Sequence, residues 1–198
     1  MKRIKIFYDL ETTGINHKQN SIHQLAGLIE IDGEIVEEFD IRARPHPKAK
    51  VSEKALEVSG TTMEQLESYQ SQKEAHFEFT AMLRSYVNRF DKRDKAFLVG
   101  YNNRHFDDFF LRTLFEINGD SYFGAYFWVP TFDTMILAGQ FLEYCRPKMK
   151  DFKLKTVAEY LGLVEKDSDK WHDALFDVKV TREIYKTVTK PLHVGGLI

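Results

Sequence analysis

The chain has 198 residues, 43% of them hydrophobic, with no compositional break, which fits one domain able to bury a substantial core. A 14% aromatic share led by sixteen Phe, against only five Pro and eleven Gly, excludes a disordered or low-complexity chain. A net charge of -2 gives no bulk attraction to a polyanion, so any nucleic-acid contact has to be local.

Residues 4 to 9, IKIFYD, are β-branched and aromatic and stop at a Thr-Thr-Gly turn, the pattern of a strand. Residues 22 to 31 and 34 to 43 read as two more, joined at Asp32-Gly33, a strong hairpin signal. From 79 to 90, Phe79, Met82, Leu83, Tyr86, Val87 and Phe90 follow the spacing of a one-sided helix. AFLVGYN (96 to 102) reads as a buried strand, followed by a helix over 105 to 117 and a short strand near 127 to 132. Helices are predicted near 133 to 142, 153 to 161 and 173 to 189. Strands alternating with helices imply an α/β fold with a mixed sheet covered on both faces.

The lone Cys145 can form no internal disulfide, and the opening MKRIKIFYDL has too short an apolar stretch for a signal peptide. A reducing, cytoplasmic setting is expected. No run approaches a membrane span, and the mean hydropathy of -0.40 gives a membrane role no support.

The acids are distributed unevenly over these elements. Asp9 and Glu11, in DLETTG, stand two apart where the first strand runs out, so both side chains project to one face. In open α/β sheets such strand ends are where ligands bind. Two carboxylates this close repel unless one keeps its proton or a cation neutralises both, and a hard divalent ion is the natural partner. A D-x-E pair by itself is also what a solvated strand end capping a turn presents. In the helix over 105 to 117, at about 100° per residue, Asp107 falls between Leu111 and Leu114 on the apolar side. Asp108 falls near Arg112, four residues on, as an exposed ion pair. An inward acid is costly unless it is paired or liganded, although a first-turn acid also caps a helix. In the last helix Asp177 shares a stripe with Thr181, Ile184 and Val188, while Lys179, Arg182, Glu183 and Lys186 lie opposite. Asp173 sits where an N-cap acid belongs, and His172 just precedes it. Beside an anionic cluster, a histidine titrating near neutrality can serve as a base.

DLETTG, VGYNNRHFDDFFL and WHDALFDV, in that order, resemble the three motifs of the DEDDh family of 3′-to-5′ exonucleases, which includes polymerase proofreading subunits, RNase T and oligoribonuclease. The stretch RPHPKAKVSEKALEVSGTTMEQL resembles the family's connecting segment, with a helix-turn at Gly60-Thr61, and the likeness runs from residue 4 to 188. It implies a ribonuclease H-like fold, a five-stranded mixed β-sheet flanked by α-helices, forming a single exonuclease domain over 1–190 with a short C-terminal tail, 191–198. It implies Asp9, Glu11, Asp107 and Asp177 as ligands of two Mg²⁺ or Mn²⁺ ions. Asp9 would bridge them, Glu11 and Asp177 would serve the first, and Asp107 the second through water. His172 becomes the general base. Arg104, His105 and Asp108 depart from the small or apolar residues common in the second motif, which touches substrate preference rather than the acid.

The same resemblance implies removal of nucleoside 5′-monophosphates from single-stranded or frayed DNA or RNA 3′ ends, with a polymerase or another replication or repair protein as a further partner. Backbone at Thr12 and Thr13 would meet the terminal sugar. Leu25 or Phe106 would stack on the last bases, although Phe106 also lies on the apolar stripe of its helix. The best local candidate for a polyanion contact is RPKMKDFKLK, residues 146 to 155, with five basic residues against Asp151. Two other readings stand beside this one: a silent nucleic-acid or polymerase-binding module of the same fold, and a nucleotide phosphohydrolase.

Overall fold

A computed structural model describes residues 2–165, 171 and 173–190. Five strands form one sheet: β1 (Ile4–Thr12), β2 (Ile22–Ile31), β3 (Glu34–Arg42), β4 (Ala96–Gly100) and β5 (Phe132–Asp133). Their order is β3-β2-β1-β4-β5, with the β1/β2 and β2/β3 pairs antiparallel and the β1/β4 and β4/β5 pairs parallel. The helices are α1 (Glu53–Ser59), α2 (Met63–Ser68), α3 (Gln72–Tyr86), α4 (Asp107–Ile117), α5 (Phe123–Tyr126), α6 (Thr134–Phe141), α7 (Leu154–Tyr160) and α8 (Ala174–Val188). Single 3-10 turns occupy Asn103–His105 and Glu143–Lys148.

The side chains of β1 divide the layers. Ile6, Tyr8 and Leu10 enter a core with Phe79 and Leu83 of α3 and Phe110, Leu111 and Leu114 of α4. Phe7, on the other face, packs with Leu28, Val99 and the α8 residues Val178 and Tyr185, its ring edge-on to Tyr185 at 5.5 Å. A third cluster joins α6 and α7 to α8 through Ala138, Val157, Ala158, Val180 and Ile184. The sheet is therefore covered on both sides, as the alternation of strands and helices predicts.

The boundaries differ from the periodicity in instructive places. The helix expected over 79–90 runs from 72 to 86 instead. It is started by a capping box in which Ser71 accepts from Glu74 N and the Glu74 side chain answers Ser71 N, and it gives way to extended backbone at Val87. Phe90 consequently stands in solvent. The strand near 127–132 shrinks to the two residues of β5 plus an isolated bridge between Ala96 and Phe127, because Phe123–Tyr126 turn as α5. Gly60 closes α1 in the left-handed conformation (φ 64°), where a side chain would be strained. No helix among the described residues is long and apolar enough to cross a membrane. The tail 191–198 lies outside the described residues.

Candidate active site

The carboxyl ends of the parallel strands β1, β4 and β5 lie at one edge of the sheet, and the acids gather there. β1 keeps a regular register with β2 through Glu11, so Asp9 and Glu11 share the face of Phe7, beneath α8. Asp107 is the first residue of α4 and only 6% exposed, inside the fold as its helical position predicts. Asp173 caps α8, its side chain accepting from Phe176 N at 2.8 Å, which sets Asp177 in the first turn above the strand end. Thr181 and Ile184, on the same stripe, are buried.

Asp9 feels the charges of Asp107, Glu11 and Asp177, and Glu11 that of Asp177. Burial, then the charges of Asp107, Glu11 and Asp177, hold the Asp9 carboxyl well above its usual range. Burial pushes Asp107 to about 8, with Asp108 and Glu11 adding to the rise. The Leu10 backbone favours the charged form of both Asp9 and Asp107, opposing part of the rise. Glu11 is raised to about 7 by burial and then by Asp177, while Arg42 opposes the rise. A set of mutually repelling, oxygen-only donors half or wholly removed from water has the chemistry of a site for hard divalent cations. Among the described residues, no group of three or more His, Cys, Asp or Glu side chains is placed so that it could hold a metal ion. The fit to a cation therefore rests on donor type and mutual repulsion. His172 lies outside the described residues; its neighbours Trp171 and Asp173 bring the chain to the start of α8.

Asp108 requires a correction. It does not pair with Arg112, whose guanidinium lies over the Phe123 ring at 4.2 Å. It turns inward, where Oδ1 accepts from the Tyr8 hydroxyl and from Asn103 Nδ2 (3.0 Å) and Oδ2 accepts from Thr131 Oγ1 (2.6 Å). Burial, then the charges of Asp108 and Asp107, raise the Tyr8 phenol, which keeps it a donor. Asn103 is 0% exposed, and its approach requires Gly100, because a Cβ there would stand 2.6 Å from Asn103 Cβ. These partners lie on three other segments, so no spacing within α4 could reveal them. Asp133 was also missed. It caps α6 by accepting from Met135 N (3.0 Å) and ties down the turn after β4 by accepting from Asn102 N (3.0 Å). Its place just before TMIL is the N-cap signal that could have found it.

Two substrate expectations also fail. Leu25 is 2% exposed within the core beside Leu10 and Ile41, and has no surface to offer a base. Thr13 N donates to Ser21 O (2.9 Å), its carbonyl accepts from Ser52 N (2.8 Å), and its hydroxyl donates to Lys50 O (2.8 Å). That residue braces its own loop and cannot also hold a sugar. Thr12 gives its hydroxyl to Gly14 O (2.8 Å). Phe106, at the N-cap of α4, is half-buried against Phe110 with ring centroids 4.9 Å apart, so both of its readings survive. A groove of ≈ 840 Å³ lies beside Gln24 and Arg42, between the end of α1 at Glu57–Gly60 and Trp171 with the start of α8.

The exonuclease family of RNase T matches residues 6–185, and the chain belongs to that family, 3′-to-5′ exonucleases of the DEDDh type on a ribonuclease H-like fold. Among curated proteins it is similar to the PolC-type DNA polymerase III of Thermotoga petrophila, 29% identical over 180 residues, which are 91% of this chain and 11% of that one. Among solved structures it resembles E. coli Exonuclease I in complex with a dT13 oligonucleotide (TM-score 0.73, 20% identity, 94% of this chain and 41% of that one). The zinc-bound E. coli ExoI–ssDNA complex is similar at TM-score 0.74 and 18% identity, covering 96% and 41%. The chain thus spans about a tenth of the curated relative and under half of the solved ones.

Proposed function

We propose that this chain shortens single-stranded nucleic acid from the 3′ end, one nucleoside 5′-monophosphate at a time. The observation that carries the reading is the cluster of Asp9, Glu11, Asp107 and Asp177 at the carboxyl edge of the sheet, each under the charge of another or charging it. Those four would hold two divalent ions, Mg²⁺ or Mn²⁺, which when bound supply charge neutralisation for the phosphate and lower the pKa of the attacking water. His172 takes the proton of the water that attacks the terminal phosphorus in line. The bond from phosphorus to the 3′ oxygen of the preceding nucleotide breaks, and that oxygen keeps the bonding pair. The Thr12 backbone contacts the terminal sugar, and the exposed edge of Phe106 stacks on a base. Support for DNA as the strand comes from two of the similar proteins, a DNA polymerase and an exonuclease in complex with dT13. A polymerase partner is proposed on the same ground.

The test is digestion of 5′-labelled, matched DNA and RNA strands with Mg²⁺ or Mn²⁺. Stepwise shortening that disappears in Asp9→Asn, in protein with unchanged melting behaviour, is the expected result. An untouched strand together with hydrolysis of free nucleotides would select the phosphohydrolase reading. No turnover of either would select the silent module.

A further inference from the structure

We propose that residues 143–155 form a second contact for the substrate strand, gripping phosphates of single-stranded nucleic acid upstream of the end being cut. The proposal rests on the exonuclease reading above. Position supplies the first argument. The Tyr101 hydroxyl, just past β4, donates to Phe152 O at 2.6 Å. Lys155 Nζ lies over the Trp171 ring at 5.9 Å, one residue before His172. The basic segment is thus fastened at the carboxyl edge of the sheet by residues flanking two of the three acid-bearing motifs. Met149 and Phe152, packed into the α6–α7–α8 cluster, hold it there.

Charge supplies the second argument. Arg146, Lys148, Lys150, Lys153 and Lys155 are all exposed. Among the described residues the first four enter no ion pair, and Lys155 reaches Glu159 at 3.8 Å. The intervening acid, Asp151, is committed to its own turn, accepting from Thr156 Oγ1 (2.6 Å) and Lys153 N (3.0 Å). The groove between α1 and the start of α8 differs. Its cations Arg42 and Lys179 are already matched by Asp40 (3.0 Å) and Glu38 (2.9 Å), so it offers little to a phosphate. In a chain of net charge -2, the segment is where a backbone can be held next to the site. The third argument is aromatic: Tyr144 is 88% exposed beside these cations, a face on which any base can stack.

The experiment measures binding without cleavage and cleavage without the surface. A fluorescent DNA strand of about 20 nucleotides is titrated by anisotropy in EDTA across a salt series, in parallel with dinucleotide hydrolysis in Mn²⁺. Removing Lys148, Lys150 and Lys153 together (each →Ala) should weaken strand binding about tenfold and flatten the log–log salt slope by about 2, from roughly 0.7 per phosphate contact on single strands. Tyr144→Ala should weaken it about fivefold or more with the slope unchanged. A control lacking Lys73, Lys92 and Lys186 should bind as the parent does. Equal weakening in that control, an unmoved slope in the triple variant, or a parent that binds no strand overturns the surface. Dinucleotide hydrolysis decides the exonuclease reading separately, because anisotropy reports on the surface whether or not anything is cut.

Discussion

Replacing Glu11 by Gln should stabilise the cation-free protein, and should do so only at high pH. Burial and then the charge of Asp177 raise the Glu11 carboxyl from 4.5 to about 7, with Arg42 pulling back. Since the folded value lies above the unfolded one, protonation favours the folded state. That contribution is complete below about pH 4.5 and is lost as the pH climbs through about 7. The span corresponds to roughly 3 kcal/mol as an upper figure. At about 2–4 °C per kcal/mol for a chain of this size, Tm should rise by as much as roughly 6–12 °C near pH 8 and barely change near pH 5, where the parent side chain already carries its proton. Circular-dichroism melts of parent and variant in EDTA at both pH values measure this. Adding Mn²⁺ should then stabilise the parent more than the variant, which has lost an anionic donor. An equal gain at both pH values, or a loss at pH 8, would refute the placement of Glu11 among like charges.

Asp108→Ala strands the Tyr8 hydroxyl, Asn103 Nδ2 and Thr131 Oγ1 without their acceptor, at ~1–3 kcal/mol each. Urea unfolding should show a loss of about 3 kcal/mol or more, whereas a change under about 0.5 kcal/mol would mark a surface residue and sink the network. Asp108→Asn should recover much of it, since the amide oxygen still accepts at one position and the Thr131 hydroxyl can reverse. His172→Ala should cut kcat by roughly 10²–10⁴ while leaving Mn²⁺-induced stabilisation as in the parent, and an unaltered rate would remove the histidine from the chemistry.

Much of this site is written locally. Asp9 and Glu11 announce themselves by strand alternation, Asp107 and Asp177 by standing on apolar helix stripes, and Asp173 by its position before a helix. Each of those signals is carried by residues within one element, where a period of 2 or 3.6 is legible. What sequence reading missed depends on residues far apart in the chain. Asp108 turns inward for Tyr8 and Thr131, one on β1 and one beside β5. Arg182, on the polar side of α8 by periodicity, is buried because Glu30 meets it at 2.8 Å from β2. Leu25 reads as a possible wedge only until the pairing with β1 and β3 shows it in the core between Leu10 and Ile41. Thr13 reads as a ligand contact until the loop closes on its amide. In each case the decisive partner is supplied by tertiary structure, and local periodicity is silent about it.

The arrangement also answers how a fold tolerates four carboxylates pushing against one another. Two of them ride on helices, and repulsion at the sheet edge tends to drive α4 and α8 away from β1. Both helices carry a polar anchor close to the acid. On α4 it is Asp108, adjacent to Asp107, drawing donors from β1, from the turn after β4 and from beside β5. On α8 it is Arg182, five residues past Asp177. Its Nε meets Glu30, which also receives Lys5 Nζ at 3.0 Å, and its Nη2 donates to Gly33 O at 3.0 Å. Breaking a buried pair of this kind typically costs ~3–5 kcal/mol, of the same order as the roughly 3 kcal/mol that Glu11 alone gives up on ionising. The anchors therefore offset the repulsion and hold the carboxyls together, and with Asp107 raised to about 8 and Glu11 to about 7 the cluster keeps part of its protons near neutral pH, to be given up when cations are taken up. An acid cluster stabilised by pairing each acid with its own lysine would be as stable and would bind nothing.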